Sequence, residues 1–284
     1  MKNSFFNLLG SVIAFSLPFV IALLTGVENV VLAVLLAFFV QWTFFIPAYV
    51  FQTEKFYDLI GSITYLSVVL FTLYSSAVKP IESLVVVACV VVWAIRLGSF
   101  LFLRIKKDGE DKRFRSIKPS FTRFFMTWTL QGTWVSMCLL CVLTAISSNT
   151  GVGSGFTFWL GLFLFVVGFA LEVVADIQKS NFRKLLSNKD KFITSGLWGR
   201  SRHPNYLGEL VLWIGIAVMS IASLEGLQYL TLISPLFVYV LLMYISGVRM
   251  LEESGEKKWG HLDEYKKHVQ DTPKFFLRLN KKDR

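Results

Sequence analysis

An all-α, polytopic membrane bundle of about eight transmembrane helices is the fold class this sequence predicts. Three observations predict it. Hydrophobic residues make up 54% of the 284 positions, and the chain holds 27 Phe. Only 17% of the residues are charged, less than an ordinary soluble domain carries. The charges gather in short basic stretches between long apolar runs, each close to the ~20 residues a helix needs to cross about 30 Å of hydrocarbon.

In chain order the predicted spans are 5–25, 30–51, 59–78, 81–103, 124–146, 156–175, 206–224 and 228–248. The first lacks the small-residue cleavage site and strongly basic start of a signal peptide, so it is read as a span. Pro18, Pro47 and Pro235 fall inside or near the ends of spans, where membranes tolerate them. The fifth carries Cys138 and Cys141 at a C-x-x-C spacing. With no second pair and no His cluster nearby, these two and Cys89 are read as small packing residues rather than zinc ligands. Beyond the eighth span, 252–284 predicts an amphipathic helix ending near Pro273, with Trp259, Tyr265, Phe275 and Phe276 as its anchor or lid side chains. The chain has no internal repeat and no low-complexity segment.

Topology follows from Lys and Arg. Eight lie in 104–123, seven in 176–205 and ten in 249–284, together 25 of the 29 basic residues. With eight spans all three segments fall on one face, which the positive-inside rule makes cytoplasmic. Both termini are then expected in the cytoplasm, in a bacterial inner membrane or an endoplasmic reticulum. The net charge of +10 is thereby read as topology and attraction to anionic membrane lipids, not as nucleic-acid binding. An anionic ligand taken from the cytoplasm is the other reading of the same charge.

Ionisable groups within spans are costly, about 2.5–3.5 kcal/mol at mid-membrane on insertion scales, and so mark candidate sites. Arg96 sits two thirds of the way along the fourth span; a plain pair with Glu172 is the competing reading. Glu172 and Asp176 share a helical face at i and i+4, and Arg183, seven further on, joins it if the helix continues. Against that stands a salt-bridged helix end. The densest polar segment is Ser195-Gly-Leu-Trp-Gly-Arg-Ser-Arg-His-Pro-Asn-Tyr-Leu-Gly-Glu209. Pro204 suits the first turn of a helix, where its missing N–H is not needed. Asn205 and Glu209 then point the same way. Arg200, Arg202 and His203 gather just before the helix N-terminus, a natural phosphate site; a membrane-anchoring basic turn is the alternative. Walker A, G-x-G-x-x-G, HExxH and G-x-S-x-G strings are all absent, so a nucleotide would bind between helices.

Several of these strings together resemble a known family. They are Thr53-Glu-Lys-Phe-Tyr-Asp58, Trp93-Ala-Ile-Arg-Leu97, Asp108-Gly-Glu-Asp-Lys-Arg-Phe114, Asp176-Ile-Gln-Lys-Ser-Asn-Phe-Arg183, Gly196-Leu-Trp198, Ser201-Arg-His-Pro-Asn-Tyr-Leu-Gly-Glu209 and Trp213. Over 96–276 the chain resembles the steroid 5-alpha-reductase family, and within it the DUF1295 branch. The resemblance implies a seven-helix reductase core plus one extra N-terminal helix, with NADPH held among the C-terminal helices. It implies substrate-side helices in 1–78, the cofactor-binding core in 79–250 and a cytoplasmic tail in 251–284. By resemblance Arg96, Asp176, Arg183, Asn205, Glu209, Trp213 and Arg249 line the cofactor pocket. Arg113, Arg202, His203 and Tyr206 join that set from the polar segments above. The family's substrate-holding Glu corresponds to Glu54; its Tyr is Trp93 here, and a catalytic His is Glu253.

The leading expectation is therefore NADPH-dependent reduction of an activated C=C bond in a lipophilic, steroid-like or other enone drawn from the bilayer. Glu54 and Tyr57 are the candidate donors to the developing enolate. The competing role for Tyr57 is an interfacial aromatic anchor. A first rival is an S-adenosylmethionine-dependent methyltransferase. The string Arg-His-Pro-x-Tyr-x-Gly, which resembles isoprenylcysteine carboxyl methyltransferases, and the pair Glu252-Glu253 speak for it; the Asp176…Arg183 spacing, Trp213 and the Glu-Asp-Lys-Arg loop speak against it, because a sulfonium wants acids and aromatics around it rather than many arginines. A second rival is a non-catalytic lipid- or nucleotide-binding membrane protein. A transporter lacks the expected pair of broken helices in repeated halves.

Overall fold

The computed structural model describes residues 2–278. Residues 279–284 of the expected tail lie outside the described residues. No strand occurs among the described residues, and eight helices are long and apolar enough to cross a membrane. The fold class is the expected one. In chain order the helices are α1 (Lys2–Leu24), α2 (Glu28–Val50), α3 (Tyr57–Ser75), α4 (Ile81–Asp108), α5 (Phe121–Ile146), α6 (Phe156–Lys184), α7 (Pro204–Ser220), α8 (Ile233–Val240), α9 (Val248–Trp259) and α10 (Asp263–Asp271).

Four elements depart from the sequence expectation. Helices α4 and α6 run past their apolar spans into basic turns, ending with Lys106 and Lys107 and with Arg183 and Lys184. Cations in a last turn sit favourably against the helix dipole, so apolar length underestimates helix length there. The last span is not one α-helix. A 3₁₀ segment over Gly226–Leu232 precedes α8, and a π-turn over Leu241–Ile245 follows it. The Ser246 N–H reaches back to the Leu241 carbonyl at 3.0 Å, and the chain breaks at Gly247 before α9 begins. Such π-turns often redirect a helix beside a functional site. The expected amphipathic tail is two helices, α9 and α10, separated at Gly260–Leu262 and ending just before Pro273.

The chain forms two compact units. One comprises Met1–Trp159 with Ala217–Ser234, the other Leu160–Ile216 with Pro235–Arg284. In the first, α5 packs on α1, α2 and α3. Every residue of 135–146 is buried, as befits a helix apolar all round. Side-chain hydrogen bonds join these helices where the surroundings are apolar. Gln41 Nε2 donates to Thr64 Oγ1 at 2.8 Å, Trp42 Nε1 to Thr129 Oγ1 at 3.1 Å and Thr133 Oγ1 to the Ala14 carbonyl at 2.8 Å. Such bonds, with van der Waals packing, hold membrane helices together where no hydrophobic drive between them exists.

In the second unit α6 and α7 touch backbone to backbone. A Cβ at Gly208 would lie 2.5 Å from the Glu172 nitrogen, and one at Gly168 would lie 2.4 Å from the Leu212 nitrogen. One at Gly215 would lie 2.6 Å from both the Gly161 oxygen and the Phe165 nitrogen. Gly168 with Gly161, and Gly208 with Gly215, are spaced two turns apart, so each helix presents a small-residue stripe. This approach sets Glu172 of α6 level with Gly208 and Glu209 of α7.

Candidate active site

Four of the expected residues lie in the first unit and hold its own structure. Glu54, in the α2–α3 turn, is buried. Its Oε1 accepts the Asp111 N–H at 3.0 Å, and its Oε2 pairs with Lys118. Both oxygens thus act as acceptors that clasp the α4–α5 loop. Tyr57 donates its hydroxyl to the Thr127 carbonyl at 3.0 Å, and its ring packs edge-on to Phe114 and Trp128. Arg113 turns to Asp111, with Nε 2.9 Å from Oδ2. Arg96 lies half-buried with its guanidinium 5.4 Å from the centre of the Phe100 ring. Trp93 is buried edge-on to Tyr65 of α3, ring centres 5.0 Å apart. A phenol therefore stands beside position 93 even though the residue there has none. Its signal in sequence is weak, a Tyr in the middle of a span.

The Glu54 clasp makes a prediction. Glu54→Gln removes the charge from a largely buried ion pair, a loss worth about 1.5–3 kcal/mol. Loop opening should then rise at least tenfold. Limited trypsinolysis of detergent-solubilised protein should show that rise as faster cleavage after Arg113 and Arg115. Cleavage at the wild-type rate would show the clasp to be inert.

The other expected residues lie in the second unit. Helix α6 continues unbroken through Arg183, so Asp176 and Arg183 share a face as the spacing predicts. Asp176 and Glu172 are buried, while Arg183 is exposed. Trp198 pins the following loop to the same helix. Its Nε1 donates to the Ala175 carbonyl at 2.9 Å, and the Lys179 ammonium lies 4.2 Å above its ring.

The turn before α7 is the most organised part of the site. Arg202 Nη1 donates to Glu252 Oε2, and His203 Nε2 lies 2.7 Å from Glu252 Oε1. One carboxylate on α9 therefore gathers the Arg202 and His203 side chains of the turn. The His203 and Tyr206 rings lie nearly parallel, centres 6.0 Å apart. Asn205 is half-buried, and its Oδ1 has no hydrogen-bond partner among the described residues. Glu209 and Trp213 follow on α7, both buried. Arg249 stands apart from this group, exposed on α9 and bonded to Glu253 one turn on, Nε to Oε1 at 3.0 Å. The break at Gly247 makes the arrangement possible. A Cβ there would lie 2.4 Å from the Leu242 oxygen and 3.1 Å from the Tyr206 ring.

Burial lowers the His203 pKa below the ordinary histidine value, and the Glu252 carboxylate opposes that shift. The ring is thus neutral near pH 7. With the proton on Nε2, facing Glu252, the other nitrogen is an acceptor; this tautomer is inferred from the carboxylate partner. Nδ1 is buried without a hydrogen-bond partner among the described residues.

Arg202 and His203, expected at a phosphate, meet instead the Glu252 carboxylate, which is not among the expected cofactor residues. The signal for Glu252 was present in the Glu252-Glu253 pair, but nothing in sequence tells which of two adjacent acids faces the turn.

A family alignment spans nearly all of these positions. The model described as a protein of unknown function, DUF1295, matches residues 44–272. This chain belongs to DUF1295. One curated relative, from Ustilaginoidea virens, carries the name probable O-methyltransferase ustE. It is 30% identical over 116 residues, which cover 36% of this chain and 41% of the relative. The chain therefore aligns with about two fifths of that protein's length. No solved structure matches the chain. The DUF1295 match contains the Arg202–His203–Glu252 cluster and the α6–α7 glycines, and stops just short of the chain that follows α10.

Among the described residues no group of three or more His, Cys, Asp and Glu side chains is placed to hold a metal ion. The three cysteines are free, Cys138 and Cys141 buried in α5.

Proposed function

We propose that this DUF1295 member is a membrane-embedded methyltransferase, moving a methyl group from S-adenosylmethionine to an oxygen of a lipophilic acceptor. The observation that carries the reading is the Glu252–His203 pair. An imidazole oriented by a carboxylate through one nitrogen, with the other nitrogen buried and left without a hydrogen-bond partner among the described residues, has the make-up of a general base. Transfer of a methyl group to a hydroxyl releases a proton that a base must take. Hydride delivery to an enone needs an acid instead. S-adenosylmethionine bound here would supply an electrophilic methyl carbon whose leaving group is the neutral thioether. His203 Nδ1 takes the hydroxyl proton, and Glu252 stabilises the imidazolium that results. Arg202 fixes the Glu252 carboxylate, and Asn205 Oδ1, which has no partner among the described residues, would accept a hydrogen bond from an amino group of the methyl donor.

The name of the Ustilaginoidea virens relative, a probable O-methyltransferase, agrees with this chemistry.

A second reading keeps the NADPH-dependent reduction of a lipophilic enone. Asp176 and Arg183 on one uninterrupted α6, with Asn205, Glu209 and Trp213 on α7, favour it through the steroid 5-alpha-reductase resemblance. It asks for cationic groups to meet a 2′-phosphate. Arg202, Arg249 and Arg113 each face a carboxylate instead.

Thermal shift of the detergent-purified protein separates the two. A ligand that binds only the folded state stabilises by about 2.7 kcal/mol at a hundredfold excess over its dissociation constant. S-adenosylmethionine should raise the midpoint and NADPH should not. The reverse result would replace methyl transfer by reduction.

A further inference from the structure

Residues 273–278, after α10, return to the turn that carries Arg202 and His203. The Arg202 N–H donates to the Pro273 carbonyl at 3.0 Å, and the Arg278 N–H to the Arg200 carbonyl at 2.9 Å. Between them, Ser201 donates its Oγ–H to the Phe275 carbonyl at 2.8 Å, and the same oxygen accepts the His203 N–H at 3.2 Å. Three consecutive residues of the turn are thereby tied to one short stretch of chain. Phe275 anchors that stretch, buried against Leu207 of α7 and Val248 of α9.

We propose that Ser201 is a positioning residue, its hydroxyl locking the C-terminal strap 273–278 onto the turn that presents Arg202 and His203 to Glu252. The turn needs such a lock. It follows the 3₁₀ segment Gly196–Gly199 and precedes Pro204, so no helix ladder fixes its backbone. Ser201 is wholly buried, and a hydroxyl can donate to one partner while accepting from another. Alanine would leave the Phe275 carbonyl and the His203 N–H buried without their partner, while threonine keeps both bonds. A plain N-terminal cap on α7 would explain the bond to His203 but not the one to Phe275. Ser201 lies within the DUF1295 match, and the strap follows it, the match ending at residue 272. What the turn binds rests on the methyltransferase reading; the lock itself does not.

The test uses the full chain in detergent with three changes: Ser201→Ala, Ser201→Thr, and a stop after Thr272. Two readouts are taken. Hydrogen exchange of peptides across 196–207 reports the lock, with peptides from α5 as reference. Calorimetric affinity reports positioning, using S-adenosylmethionine, or NADPH if that is what stabilises the wild type. Ser201→Ala and the shortened chain should each speed exchange across 196–207 about tenfold and weaken the ligand about tenfold, with α5 unchanged. Ser201→Thr should restore both if it folds; if it does not, the shortened chain stands in, since it leaves every side chain of the turn in place. Unchanged exchange overturns the lock. Faster exchange with unchanged affinity overturns the positioning role. If neither ligand binds the wild type, the functional reading fails on its own, and exchange alone decides the lock.

Discussion

Gly208→Val should abolish the folded second unit. The added side chain would start 2.5 Å from the Glu172 nitrogen and 2.7 Å from the Gly168 oxygen. Both are backbone atoms within helix α6, so no rotamer change relieves the contact. The helices must part, and parting also loosens the Gly168 and Gly215 contacts along the same seam. Overpacking a tight core costs about 1–3 kcal/mol where side chains adjust, and more where only backbone can yield. The expected result is loss of monodisperse protein, or a midpoint lowered by about 10 °C or more. Gly153→Ala is the matched control. Its Cβ would meet nothing closer than 3.7 Å, ordinary van der Waals contact. If Gly208→Val purifies with a wild-type midpoint, the backbone seam is not what holds α6 to α7.

That seam also shows where sequence reading stops. The spans were legible because their signal is additive: about twenty apolar residues suffice whatever they pack on. Glycine inside a span carries no such signal. Gly208 and Gly168 look no different in sequence from Gly10, which meets only the flexible end of Met126. The kinked last span was hidden for a related reason. A run such as 228–248 is apolar throughout, and hydropathy does not distinguish an α-helix from a 3₁₀ or π segment of equal greasiness. Local polar density singles out the turn 195–209, because capping, proline placement and charge are read residue by residue. The partners themselves were not legible. Glu54 and Tyr57 carry chemistry-bearing groups, yet their hydrogen bonds go to Asp111 and Thr127, more than fifty residues away in sequence. Arg202 is matched by an acid fifty residues on.

Glu252 and Glu253 make the same point as a measurement. The two are identical and adjacent, but successive residues on a helix point about 100° apart. Glu252 meets Arg202 and His203, whose side chains are only 12% and 6% exposed. Glu253 faces solvent, where it pairs with Arg249 at 70% exposure. Removing one member of a buried group strands the others, whereas an exposed i,i+4 pair is worth about 0.3–0.5 kcal/mol. Glu253→Gln should therefore leave the midpoint and ligand affinity unchanged within error. Glu252→Gln should lower stability by about 2 kcal/mol, less than the full cost for a sealed site because Glu252 itself is 24% exposed. Its larger effect should be on turnover. Without the carboxylate, His203 loses the group that orients its ring and shelters its positive charge, and general-base assistance is worth about 10²–10⁴-fold. Transfer of tritiated methyl from S-adenosylmethionine into organic-extractable material in native membranes reads that loss directly. Equal effects of the two substitutions would remove Glu252 from the site. A loss confined to stability would leave His203 as a structural histidine and the base would have to be sought elsewhere.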